Sequence, residues 1–91
     1  MKTVSQKVKE FGAKVKKDGC AGYYTYIGRN FKANFNSEEG VTKHWEVDLL
    51  SDDVDERVNE QFYDYNQYDT KAEVVWILLG LDQQIEEEKI K

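Results

Sequence analysis

Apolar side chains recur at helical spacing at the start of the chain, alternate through its middle, and return to helical spacing toward its end. Val4, Val8, Phe11 and Val15 stand at i, i+4, i+7 and i+11. On a wheel of about 100° per residue they fall within about 60° of one another, a narrow apolar seam. Thr3 and Gln6 have the spacing of a capping box, and Gly19 follows Lys16 and Lys17 as a helix stop should. The pattern predicts a first helix from about Val4 to the residues before Gly19.

Tyr23–Ile27 is rich in aromatic and β-branched residues and predicts a strand. Gly28-Arg29-Asn30 can turn the chain. Phe31, Ala33 and Phe35 then alternate with Lys32 and Asn34, as a half-buried strand does. After a turn at Ser37-Glu38-Glu39-Gly40, a third strand is predicted. Val41, Lys43, Trp45, Val47 and Leu49 share one face, and Thr42, His44, Glu46 and Asp48 the other. Turns this short favour antiparallel neighbours, hence a three-stranded meander.

Ser51 is a suitable N-cap, and Asp52, Asp53 and Asp55 suit the positive first turn of a helix. Val54, Val58, Phe62 and Tyr65 continue it at helical spacing. Thr70 and Glu73 form a second capping box. Val74, Leu78, Leu81 and Ile85 carry a last helix; a strand over Val74–Leu79 is the rival, and the cap and the continuation to Ile85 favour the helix. Glu86-Glu87-Glu88 predicts a solvated, fraying end. The expected fold is a single α+β domain over residues 1–91, ordered α-β-β-β-α-α, with the helices on one face of the sheet.

Composition adds a charge asymmetry. The chain has 91 residues and a net charge of −5. Residues 1–33 hold eight cations and two anions, for +6; residues 34–91 hold five cations and sixteen anions, for −11. A general nucleic-acid binder is expected to be basic over its contact face, whereas most of this chain repels phosphate and attracts basic protein surfaces. No apolar run approaches the length of a membrane span, and Met1–Lys17 is amphipathic rather than a greasy leader. Cys20 is a single cysteine and cannot form an internal disulfide. These features lead to the expectation of a cytoplasmic protein.

Chemistry-bearing motifs are scarce. His44 is the one histidine; Thr42 and Glu46 flank it on its strand face, but no nucleophile is evident beside it except the distant Cys20. Asp64-Tyr65-Asn66 resembles the start of a calcium loop, but Tyr68 stands where a ligand belongs, Asp69 replaces the turn glycine and Val75 replaces the closing glutamate. Zinc lacks cysteine and histidine partners. Gly28-Arg29-Asn30 lacks the glycine spacing and lysine of a phosphate loop. The expectation is a non-enzymatic protein with no metal and no cofactor.

The informative stretch is Ser51–Asp69, which sets seven carboxylates against the single cation Arg57 and adds Phe62 and three tyrosines. About eighteen helical residues span about 27 Å, so the carboxylates recur about every 4 Å, against about 3.4 Å for the phosphates of one DNA strand. Tyrosines supply flat contact area at low entropic cost. Asp52, Asp53, Asp55, Glu56, Glu60, Tyr63, Asp64, Tyr65, Tyr68 and Asp69 are therefore the candidate partner-binding residues. Their expected partner is a protein with a basic nucleic-acid-binding site. Two other readings remain: self-association between the cationic and anionic halves, and nucleic-acid binding through the lysine-rich first helix. An α-β-β-β-α order also resembles double-stranded-RNA-binding domains, but the helix after the sheet opens here with Asp52, Asp53, Asp55 and Glu56, which repel phosphate.

In size, acidity and element order the chain resembles the small acidic inhibitors encoded by phages and mobile elements. These include DNA-mimic anti-restriction proteins and anti-CRISPR proteins that block the DNA-binding cleft of a Cas nuclease. The resemblance spans the architecture of the whole chain and implies an inhibitor whose partner is a Cas nuclease or a restriction enzyme. It assigns no individual site residue.

Overall fold

The computed structural model describes residues 2–19, 22–37, 45–50, 54–62 and 68–90. The chain order is α1 (Val4–Phe11), β1 (Lys14–Lys17), β2 (Tyr23–Ile27), β3 (Lys32–Ser37), β4 (Trp45–Leu49), α2 (Glu56–Phe62) and α3 (Lys71–Ile90). The fold is α+β. Its sheet is antiparallel and has four strands, in the order β1-β2-β3-β4, where three were expected.

The extra strand comes from an early helix stop. Thr3 caps α1 with a full capping box: its hydroxyl accepts from the Gln6 amide, and the Gln6 side chain accepts from the Thr3 amide. At the other end Gly12 adopts the left-handed conformation, with φ +88°. The Gly12 amide donates to the Lys9 carbonyl and the Ala13 amide to the Val8 carbonyl. This is a Schellman closure with buried Val8 and Ala13 as its apolar contact. Gly19 is thus not the stop, and Lys16 and Lys17 do not complement a helix end. Val15 reaches the core from a strand whose neighbours Lys14 and Lys16 point away from it. Its i+11 spacing satisfied the helical pattern by coincidence.

One face of the sheet is apolar. Val15, Tyr26, Ala33 and Leu49 form one row across the four strands, and Tyr24, Phe35 and Val47 form another. Tyr26, Ala33 and Phe35 are fully buried. Tyr24 stacks on Phe35 at 5.6 Å, and Trp45 closes on both rings. The helices cover this face, with α3 central, α1 toward β1 and α2 toward β4. The opposite face carries Lys14, Lys16, Lys32, Glu46 and Asp48 beside a hydrogen bond of 2.7 Å from Thr25 to Asn34. As expected, Trp45, Val47 and Leu49 share the inward face of their strand. Its predicted first residues, Val41–His44, lie outside the described residues, as does Glu38-Glu39-Gly40.

α3 is a helix throughout Val74–Leu79, as the capping signal indicated: the Glu73 amide donates to the Thr70 hydroxyl. It buries Val74, Val75, Leu78, Leu79 and Ile85. It stays helical to Ile90, and two of the three glutamates near its end are paired: Glu86 with Arg29 at 3.2 Å and Glu88 with Arg57 at 2.6 Å. α2 begins at Glu56; Ser51, the expected cap, lies outside the described residues.

Candidate functional site: the acidic flank

Asp55 starts α2. Its backbone carbonyl accepts from the Val58 and Asn59 amides, and its carboxylate accepts from the Arg57 amide at 2.9 Å, the geometry of an N-cap. The same carboxylate takes the Arg57 guanidinium through Nε and Nη2, at 2.9 and 3.0 Å. The other side of the guanidinium grips Glu88 on α3, with Nη1 at 2.8 Å and Nη2 at 2.6 Å. Arg57 therefore clamps the start of α2 to the end of α3 by two bidentate contacts. Its side-chain and backbone hydrogen bonds hold the Asp55 carboxyl down at about 2. Those same partners push the guanidinium further up.

The rest of α2 is fixed from below. Val58 is fully buried and Val54 and Phe62 nearly so, which orients Glu56 and Glu60, one helical turn apart, to solvent. Asp69 is also exposed, just ahead of α3; its amide donates to the Glu73 carboxylate at 3.2 Å. Of the ten candidate residues, then, Glu56, Glu60 and Asp69 are exposed and form no ion pair among the described residues, and Asp55 stands already paired. Asp52, Asp53, Tyr63, Asp64 and Tyr65 lie outside the described residues.

Tyr68 has a different place from the one expected. It is only 8% exposed. Its backbone exchanges two hydrogen bonds of 3.0 Å with Trp45, its ring meets Phe62 edge-on at 6.0 Å, and its hydroxyl accepts from Gln61 at 3.2 Å. Tyr68 anchors the acidic stretch to the sheet and offers a partner little area. An alternation of acids and aromatics does not distinguish a tyrosine that points outward from one that closes a core.

The buried charge was the residue that sequence reasoning missed. Asp82 is fully buried. Its Oδ1 accepts from the Asn30 amide at 3.1 Å and Asn30 Nδ2 at 2.8 Å; its Oδ2 accepts from the Tyr26 hydroxyl at 2.7 Å and the Arg29 amide at 2.9 Å. Four donors fill the four acceptor positions of a carboxylate, so none is left for a substrate, and the group acts as a pin. Burial, then the bond to Asp82, pushes the Tyr26 phenol well up, away from ionisation. Gly28 is required by the close approach: a Cβ there would lie 2.1 Å from Asp82 Oδ2. The signal was available, since Asp82 sits on the apolar stripe between Leu78 and Ile85, where a charge needs a partner. Among the described residues no group of three His, Cys, Asp or Glu side chains converges as a metal site. Cys20 and His44 lie outside those residues. Among the described residues no helix is long and apolar enough to cross a membrane.

No protein-family model matches this chain, and no curated protein or solved structure is significantly similar to it.

Proposed function

We propose that the protein is a non-enzymatic binding protein that offers its acidic flank to a cationic, nucleic-acid-binding site on another protein. The observation that carries this reading is the placement of Glu56 and Glu60. They stand exposed on a helix held by buried Val58 and Phe62 and by the Arg57 clamp. Among the described residues none of the amino-terminal lysines neutralises them: Lys2 pairs with Glu10, and Lys7 lies over a ring. Fixed carboxylates on an ordered surface lose little entropy on meeting fixed cations, so they compete with phosphate. Asp52, Asp53 and Asp64 belong to the same acidic stretch of the sequence. A DNA-binding cleft of a Cas nuclease or a restriction enzyme supplies such cations, and an inhibitor carried by a phage or mobile element is the class of protein that fits.

The test is competition with DNA. Added at low salt to purified Cas nucleases and restriction enzymes, the protein is expected to displace DNA from at least one of them. Glu56→Gln with Glu60→Gln should weaken that displacement and flatten its salt dependence. Inhibition unchanged in both strength and salt dependence rejects the electrostatic account.

A further inference from the structure

The outer edge of the sheet at β1 is the second place where the molecule offers something unsatisfied. β1 pairs only with β2. β4, at the other edge, is closed at Trp45 by its two hydrogen bonds with Tyr68; among the described residues nothing does this for β1. The Asp18 amide donates to the carbonyl of Tyr23, the residue opposite it. Antiparallel pairing alternates, so Lys16 and Lys14 also turn their backbone groups toward β2. Val15 and Lys17 turn theirs outward, and a further strand could pair with them.

That edge borders a groove of about 520 Å³ between α1, β1 and the start of α3. Val4, Val8, Val15 and Val75 give it an apolar floor. Lys9 and Lys71 line it as well, the backbone of Lys14 and Lys16 borders it, and among the described residues no carboxylate lines it. Val15 faces the helices, while Lys14 and Lys16 face the open side of the sheet.

We propose that β1 is a docking edge for an extended segment of a partner protein in which acidic and apolar residues alternate. The segment adds a fifth, antiparallel strand. Residues paired with Val15 and Lys17 exchange backbone hydrogen bonds with them, and an apolar side chain opposite Val15 enters the groove. Its neighbours fall on the other face, opposite Lys14 and Lys16, where carboxylates neutralise two ammonium groups. Charge complementarity selects this occupant. A second β1 edge would set lysine against lysine, and lysines on an edge guard against such pairing. A nucleic acid would leave the strand's donors and acceptors and the valine floor unused.

The probe is a short capped peptide alternating glutamate with valine, added to the full chain at low salt. It is expected to bind and to slow hydrogen exchange at the Val15 and Lys17 amides. A proline placed opposite Val15, which removes a donor, and a peptide with the same residues in blocks should each bind at least about tenfold more weakly, because each breaks the strand pairing. Lys14→Glu with Lys16→Glu, both at exposed positions, should lose the glutamate peptide by a similar factor and gain the matching lysine peptide. Equal binding of the block and alternating peptides overturns the proposal, since charge attraction alone would then suffice. So does a single-stranded oligonucleotide that displaces the peptide at equal concentration. Self-association of the protein at low salt that the double substitution abolishes also overturns it, because the edge would then belong to a second copy.

Discussion

The two flanks of α3 carry opposite charge and hold it in different ways. On the α1 side, two lysines rest on rings: Lys7 Nζ lies 4.5 Å from the centroid of Trp76 and Lys71 Nζ 3.8 Å from that of Tyr24. Rings orient these groups without cancelling their charge. On the α2 side the Arg57 guanidinium is spent on Asp55 and Glu88, and among the described residues no cation pairs with Glu56 or Glu60. The ring-seated lysines and the carboxylates of α2 therefore stand on two flanks with α3 between them, and among the described residues the one ion pair that joins the +6 and −11 portions of the sequence is Arg29 with Glu86. The difference teaches that opposite charges on one small domain survive as distinct surfaces when a rigid element stands between them.

The largest expected effect comes from loosening that partition. Asp82→Ala leaves the buried Tyr26 hydroxyl and the partly buried Arg29 and Asn30 amides without their acceptor. At about 1–3 kcal/mol for each unmet group, the loss should be about 3 kcal/mol or more, lowering the melting temperature by more than about 10 °C. Tyr26→Phe should cost about 1 kcal/mol, and far less once Asp82 is gone. Denaturant midpoints for the two single variants and the double variant measure this coupling. Independent, additive losses would mean that the pin does not act as a unit.

These residues also mark where the sequence could and could not be read. The strands at Tyr23–Ile27 and Phe31–Phe35, the seam Val54-Val58-Phe62 and the last helix were legible because each follows a period that packing rewards. β1 was not, because Lys14–Lys17 is too short to establish an alternation of its own, and Val15 also satisfied the helical period of α1. Gly12 was the local sign, but Gly19 competed with it as a stop. In the acidic stretch, the exposure of Glu56 and Glu60 follows from the seam beneath them. The burial of Tyr68 and the Arg57–Glu88 contact depend on elements distant in the chain. Periodicity carries no information about such pairings.

Asp55 gives the next effect, on the anionic flank alone. Its carboxyl is held at about 2, below an ordinary value of 3.8. A depressed carboxyl stabilises the fold above the ordinary value and loses that contribution as pH falls toward the folded one. Asp55→Asn should therefore be less stable than the wild type at neutral pH, by less than the about 1 kcal/mol typical of a lost cap, since asparagine caps well. The gap should close between about pH 4 and pH 2. Chemical denaturation across that range checks it. A gap that persists at pH 2 would assign the loss to shape rather than charge.

The smallest effect separates ring-seated lysines from solvated ones on the cationic flank. Lys71 is half-buried over Tyr24, whereas Lys9 is exposed and among the described residues no ring contact holds its ammonium. Lys71→Gln should cost about 0.5 kcal/mol, the usual value for a cation over an exposed ring, and Lys9→Gln close to nothing. Both remove one positive charge, so a general repulsion among the lysines of this flank would make both substitutions stabilising at low salt and neutral at high salt. A loss confined to Lys71 shows that the charge is held by the ring.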